Sequence, residues 1–222
     1  MHATAKMEFR LTKTGYLQYL KCPPEFWLSV NQPLLAAKPD TLEYEHLRQQ
    51  GYAVEQLVKQ LSQFQSNDQQ IVDFQRTFQT AQFVARGDIV TTDRATGEIS
   101  IYEIKGAASV QPEHYDDVAF HRMVAEASGA TVKACYVIVM NGEYVRRGGI
   151  DPEQLFKITD VTAEIEARLD ETKTKALEAI SSVDTVPVAS LLSYCADNKL
   201  KCSFIKLHFP DLPEYTIFDI TY

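Results

Sequence analysis

The run VKACYVIVM, residues 132–140, constrains the fold more than any other stretch of the chain. It is far shorter than the roughly 20 apolar residues a membrane span needs, and too continuously apolar for a strand with one wet face. It suits a central strand buried on both faces, so other elements must cover it from two sides.

The neighbouring segments supply such elements. Thr12 can cap a short helix carrying Tyr16, Leu17 and Leu20 on neighbouring turns, and Pro23-Pro24 is expected to stop it just after Cys22. A longer helix is expected over roughly Thr41 to Phe64, with Leu47, Val54, Leu57, Val58 and Leu61 in helical spacing. SQFQSNDQQ reads as a loop. Strands follow at Phe74 to Thr80 and in a hairpin: Val84 to Thr92, a turn through Arg94-Ala95-Thr96-Gly97, and a return from Glu98 to Lys105. A helix from about Pro112 to Ser128 opens on a first-turn Pro and closes at Gly129. EYVRRGG reads as an edge strand or turn, and DVTAEIEARLDETKTKALEAI as one surface helix with Ile165, Leu169 and Leu177 inward. The order helix, three strands, helix, strand predicts an α/β fold, a mixed central β-sheet flanked by helices.

Composition narrows the function. A chain of 222 residues, 45% hydrophobic and 23% charged, has enough apolar material for one domain with its own core. Its 22 Lys and Arg against 30 Asp and Glu give a net charge of -8, so the surface as a whole repels phosphate backbones and any nucleic-acid contact must be local or metal-assisted. The N-terminal stretch has no apolar run fit for a signal peptide and no segment is long enough to span a bilayer, so a cytoplasmic location without membrane contact is the expectation. Cysteines at 22, 135, 195 and 202 show no disulfide-framework spacing, leaving buried thiols or metal ligands. Cys135, inside the apolar run, reads as a small core residue.

The hairpin carries the chemistry. If its turn sets the register, Val90 faces Ile101 and Asp88 faces Glu103, and two carboxylates directly opposed on one face repel unless a cation sits between them. Alternation puts Glu103 and Lys105 on that same face. Asp88, Glu103 and the Ile104 backbone carbonyl offer oxygens for a hard cation, Mg²⁺ or Mn²⁺, with Lys105 placing an ammonium where charge grows on a phosphoryl group under attack by water. The other reading is a solvated strand face on which Lys105 pairs with Glu103. On the preceding helix Glu55 lies one turn after Gly51, whose missing side chain leaves room for it to reach the sheet as a third carboxylate, or to remain a surface Glu. On the following helix His114, Asp117 and His121 fall roughly on one stripe; they could touch DNA phosphates, hold a second metal, or form a polar exposed face. Arg146 and Arg147 beside Gly148-Gly149 suit a phosphate contact or an exposed turn.

With Asp88 in GDIV and Glu103-Ile104-Lys105 as E-x-K, the chain resembles the PD-(D/E)XK nuclease superfamily, in particular its RecB-like exonuclease branch with the CRISPR-associated adaptation nucleases. It is also similar to an uncharacterised RecB-like family through LTKTGYLQYLKCPPEFWL, HYDDVAFH and NGEYVRRGGIDPEQLFKITDVT, from about Leu11 to about Pro213. The resemblance implies a restriction-endonuclease-like core, a single domain over 1–222, and a metal-dependent DNA phosphodiesterase, exonuclease or flap-type, acting on single strands or duplex ends. Catalysis would fall to Asp88, Glu103 and Lys105, with metal ligation by Glu55, Asp88, Glu103 and Ile104. The branch often has His where this chain has Glu55, and Gln where it has His121, a position implied to handle substrate; His114, Arg146 and Arg147 would share that task. The resemblance further implies an iron-sulfur cluster held by one N-terminal and three C-terminal cysteines, pinning the tail 184–222 to Cys22. Here Cys22, Cys195 and Cys202 remain and His208 replaces the fourth, a set that suits zinc or a cluster, or marks a lost metal. Two other functions stay open: a catalytically inactive nuclease-fold subunit that binds DNA ends or a partner, and a small protein whose one metal sits at the cysteines.

Overall fold

The computed structural model describes residues 9–37, 41–187, 202–211, 213 and 215. A six-stranded mixed sheet forms its centre. Strand β3 (Phe83–Asp93) pairs antiparallel with β2 (Gln70–Gln79) along one edge and with β4 (Ile99–Ile104) along the other. The hairpin turn is the expected one: Asp93 Oδ1 accepts from the Ala95 and Thr96 N–H groups, and Gly97 takes the positive φ of 74° that an L side chain resists. Val90 does pair with Ile101. Strand β5 (Val132–Met140) lies parallel to β4, joined to it through helix α4 (Pro112–Ala127), and β6 (Phe156–Asp160), entered from the single turn α5 (Pro152–Leu155), closes that edge antiparallel.

Both faces of β5 are covered, as its composition requires. On one face Val90, Ile101, Val118, Phe120, Val124 and Val137 share a core with α1 (Lys13–Lys21), α2 (Pro23–Asn31), α4, α6 (Thr162–Glu166) and α7 (Leu169–Ser182). On the other, Ile89, Ile138 and Phe156 pack with Val58, Leu61 and Phe64, contributed by the end of α3 (Thr41–Val58) and the turn after it. Among the described residues no helix is long and apolar enough to cross a membrane.

Several expectations are corrected. Pro23-Pro24 starts α2 rather than only ending α1, because Pro is tolerated in a first turn whose N–H groups have no partner anyway. The helix expected to reach Phe64 ends at Val58, and Leu47 on it is exposed. EYVRRGG takes the second of its two readings, a turn and loop without strand, and the edge strand is β6, further on. The long surface helix is broken at Ala167-Arg168, which turns Thr172, Ala176 and Ala179 inward and leaves Leu177 at the surface.

One short element sets up the site. Leu11 and Thr12 form β1, parallel to Phe83 and Val84 at the start of β3. Because β2 holds the other edge of β3 there, β1 shares the edge that β4 occupies further along. Residues 85–88 of β3 lie between the two, unpaired on that side, and the sheet opens there.

Candidate active site in the gap between two strands

Asp88 sits at this opening. The last ladder pair of the hairpin is Ile89 with Tyr102; beyond it the Asp88 side chain replaces the ladder, its Oδ2 accepting from the Ile104 N–H at 2.9 Å. The alternation of both β2 and β3 breaks at this level. Val72 packs on one face and Phe78 on the other although six residues separate them, and Ile89 and Ala85 likewise lie on opposite faces. Across β2, the residue opposite Asp88 is Gln75, with a left-handed φ of 58° in the middle of a strand. Its Nε2 lies 3.3 Å from Glu55 Oε1 and 3.4 Å from Asp88 Oδ1, so it ties the two acids together. Glu55 also pairs with Lys59 at 2.8 Å.

Glu103 points into the layer between sheet and helices and is 1% exposed. Its Oε1 takes the ammonium groups of Lys105 at 2.9 Å and Lys13 at 3.0 Å, and its Oε2 faces His121 Nδ1 at 3.0 Å. Lys13 and Lys105 both pair with Asp117 as well. Lys13 arrives from sequence far away because β1 ends at Thr12, whose Oγ1 caps α1 by accepting from the Gly15 N–H and so seats the first residue of that helix beside β4.

The two acids titrate in opposite directions. Burial, then the nearby Glu103 charge, push the Asp88 carboxyl up to about 6 against the Ile104 N–H and Lys13. Burial would raise Glu103 too, but His121, Lys105 and Lys13 outweigh it and hold that carboxyl well below the ordinary glutamate range. Lys105 stays above its usual value despite burial, because Glu103 and Asp117 stabilise its charge.

The structure therefore brings Asp88, Glu103, Ile104 and Lys105 together and places Glu55 on the rim, linked through Gln75. Glu55, Gln75, Arg86, Asp88 and Ile104 line a cavity of about 960 Å³; a second of about 520 Å³ passes Lys13, Asp88, Arg86 and His121. The stripe on α4 is buried, not a polar exposed face, because that helix is packed between the sheet and α1, α6 and α7. His121 reaches Glu103, whereas His114 is spent on the helix start, its Nδ1 accepting from the Gln111 N–H at 3.0 Å. Arg146 and Arg147 are exposed on a loop away from both cavities, where Arg147 shares a hollow with Glu143, Asp151 and Glu153 and Arg146 donates to the Gly148 carbonyl. Sequence reasoning missed Lys13, Gln75 and Arg86. The first two owe their place to strand pairing and a backbone twist that carry no local signal; Arg86, two residues before Asp88 in a strand, was detectable by alternation.

At the other end, Cys22 is buried at the start of α2 and Cys202 lies close by: burial pushes the Cys202 thiol up to about 11, opposed by the Phe204 N–H and reinforced by Glu25 and Cys22. His208 ends the short helix Ile205–His208, and Cys195 lies outside the described residues. Among the described residues, only Glu103, Asp117 and His121 come together as three or more His, Cys, Asp or Glu ligand atoms within 4.8 Å of one another. Cys135 is core, its thiol pushed up to about 12 by burial.

No family model matches the chain, and no curated protein matches it. Among solved structures it is similar to an alkaline exonuclease, LHK-Exo, from Laribacter hongkongensis, with a TM-score of 0.37 at 14% identity, over 78% of this chain and 90% of that one. It is also similar to SSO0001, with a TM-score of 0.40 at 11% identity, over 90% of this chain and 85% of the other. At such values these likenesses assign no chemistry to the chain.

Proposed function

We propose that the chain is a metal-dependent phosphodiesterase of the PD-(D/E)XK type, a RecB-like exonuclease or flap-type nuclease acting on DNA. The observation that carries this reading is the meeting of Asp88, Glu103 and Lys105 where β4 and β1 part along β3. The donors suit a hard divalent ion: oxygen from Asp88, Glu103, the Ile104 carbonyl and, from the rim, Glu55. Asp88 supports that fit, since a half-buried carboxyl beside another acid and pushed up to about 6 lacks the charge a cation would supply. Bound there, Mg²⁺ or Mn²⁺ would polarise the phosphate and make the attacking water more acidic.

The protein's own groups divide the remaining work. Lys105, held charged between Glu103 and Asp117, offers its ammonium to the developing phosphorane. Arg86, exposed on the rim of both cavities, is placed to hold a phosphate and gives the acidic chain a local cationic contact. Gln75 sits between Glu55 and Asp88, its Nε2 donating at 3.3 and 3.4 Å to the two acids.

The test is incubation of purified protein with end-labelled single- and double-stranded DNA in Mg²⁺, Mn²⁺ or EDTA. The expected result is cleavage that needs the metal and disappears in Lys105→Ala. DNA binding without cleavage under every condition would replace this reading with that of an inactive end-binding subunit.

A further inference from the structure

Glu103, Asp117 and His121 form a cluster that the phosphodiesterase reading does not use as a unit. Asp117 and His121 stand one turn apart on α4 and face Glu103 from the helix side of the sheet. His121 is 0% exposed, with Nδ1 at 3.0 Å from Glu103 Oε2 and Nε2 at 4.0 Å from Asp117 Oδ1. None of these four atoms makes a well-directed hydrogen bond. A buried polar atom left without one costs about 1–3 kcal/mol, and protein interiors seldom accept several in one place. One ligand atom from each of Glu103, Asp117 and His121 lies within 4.8 Å of the others, which marks a position shaped for a group that can bond all three residues.

We propose that Glu103, Asp117 and His121 are a binding site for a transition-metal ion, Mn²⁺ or Zn²⁺, distinct from the oxygen-only set around Asp88. One imidazole with two carboxylates is a borderline donor set that disfavours Mg²⁺ and suits these ions. Access is provided by the smaller cavity, which His121 lines together with Thr12, Lys13 and Asp88. Lys13 explains how the cluster persists without an ion: its ammonium contacts Glu103 Oε1 at 3.0 Å and Asp117 Oδ1 at 3.2 Å, supplying positive charge to both carboxylates. Its side chain is 28% exposed, so it can withdraw toward solvent when an ion arrives, while Lys105 keeps its own pairs. Glu103 would then belong to both sites, one carboxylate oxygen for each.

The experiment is equilibrium dialysis of the whole chain against Zn²⁺ and Mn²⁺, with wild type, Asp88→Asn and His121→Gln, beside ring-proton NMR of the wild type during the Zn²⁺ titration. Asp88→Asn should retain the ion. His121→Gln should weaken it beyond the roughly 10- to 100-fold that loss of an outer-shell partner costs. In the wild type the His121 ring resonances should shift as the site fills, a readout that no folding defect of a variant can mimic. Equal affinity in His121→Gln, or His121 resonances unmoved at saturating Zn²⁺, would overturn the proposal. Failure of the phosphodiesterase reading would show separately, as wild-type protein that cleaves no DNA.

Discussion

Asp88 and Glu103 are a comparison built into the molecule: two acids on adjacent strands, one half-buried and one buried, with opposite electrostatic fates. The Glu103 side holds the ammonium groups of Lys13 and Lys105 and the imidazole of His121, and its carboxyl is held well below the ordinary glutamate range. The Asp88 side offers a backbone N–H and the neutral amide of Gln75, and its carboxyl is pushed up to about 6. Burial costs the charged form of both; only company separates them. The neighbours of Glu103 thus compensate its charge, and those of Asp88 do not.

The largest effect should come from removing the cation on the well-supplied side. If Lys105 stabilises the transition state, Lys105→Ala lowers kcat by roughly 10²–10³ while the chain still binds DNA, as measured by cleavage and gel-shift assays together. A variant that cleaves within a few-fold of wild type would separate Lys105 from the chemistry and leave it as the structural partner of Glu103.

Next is the stability of the same side. Glu103→Gln leaves Lys13 and Lys105 sharing only Asp117 in a buried setting, so a loss of about 3–5 kcal/mol is expected by urea unfolding at pH 7. A loss under about 1 kcal/mol would mean that the ion pairs barely offset their desolvation.

Asp88 should behave in the opposite way. Its folded value of about 6 lies above the unfolded one, so its contribution to stability is fully present below about pH 4 and is lost as pH rises through 6. At pH 8, without divalent ions, Asp88→Asn should therefore be more stable than wild type by about 2–3 kcal/mol, and the gap should close by about pH 4. Glu103, held low, contributes stability above the unfolded glutamate value and loses it as pH falls. Between them these two groups favour the metal-free chain most at about pH 4, between the unfolded values of the two acids. Thermal melts of both proteins from pH 4 to 8 check this; an equal Tm at pH 8 would show that Asp88 is not short of charge.

The well-supplied and the short side were not equally legible in the sequence. The hairpin, its register at Val90 and Ile101, and the shared face of Glu103 and Lys105 followed from β-branched arms, a Gly in the turn and strand alternation. Strand β5 followed from its unbroken apolarity, and α4 from its Pro start and Gly stop. Lys13 was hidden because it reaches Glu103 through a two-residue parallel strand, a pairing that leaves no periodic trace. The α4 stripe was visible as a stripe, but its burial depends on which helices pack over it, information that lies in α1, α6 and α7 rather than in HYDDVAFH. The second start at Pro23 was lost to reading a proline pair as a stop alone. Pro23 and Arg86 were local signals passed over, whereas Lys13 and the burial of the α4 stripe are set by contacts distant in sequence.

Gln75 belongs to the Asp88 side and sharpens the contrast at the smallest scale. A left-handed backbone at a non-glycine residue costs roughly 1–2 kcal/mol, and Gln75 carries it in mid-strand while its amide makes only long contacts of 3.3 and 3.4 Å to the two acids. Those contacts are too weak to offset the strain, so the conformation must be imposed by the face reversal that β2 and β3 undergo together at this level. Two substitutions separate backbone from side chain. Gln75→Ala loses the amide and keeps the strain; Gln75→Gly loses the amide and relieves it, at the expense of a more flexible unfolded chain. Glycine should therefore exceed alanine in stability by about 0.5–1 kcal/mol, the reverse of their order in an ordinary strand. If alanine is the more stable of the two, Gln75 is unstrained, and the reversal that turns Asp88 into the gap draws its energy from the side-chain packing of Val72, Phe78, Ala85 and Ile89 instead.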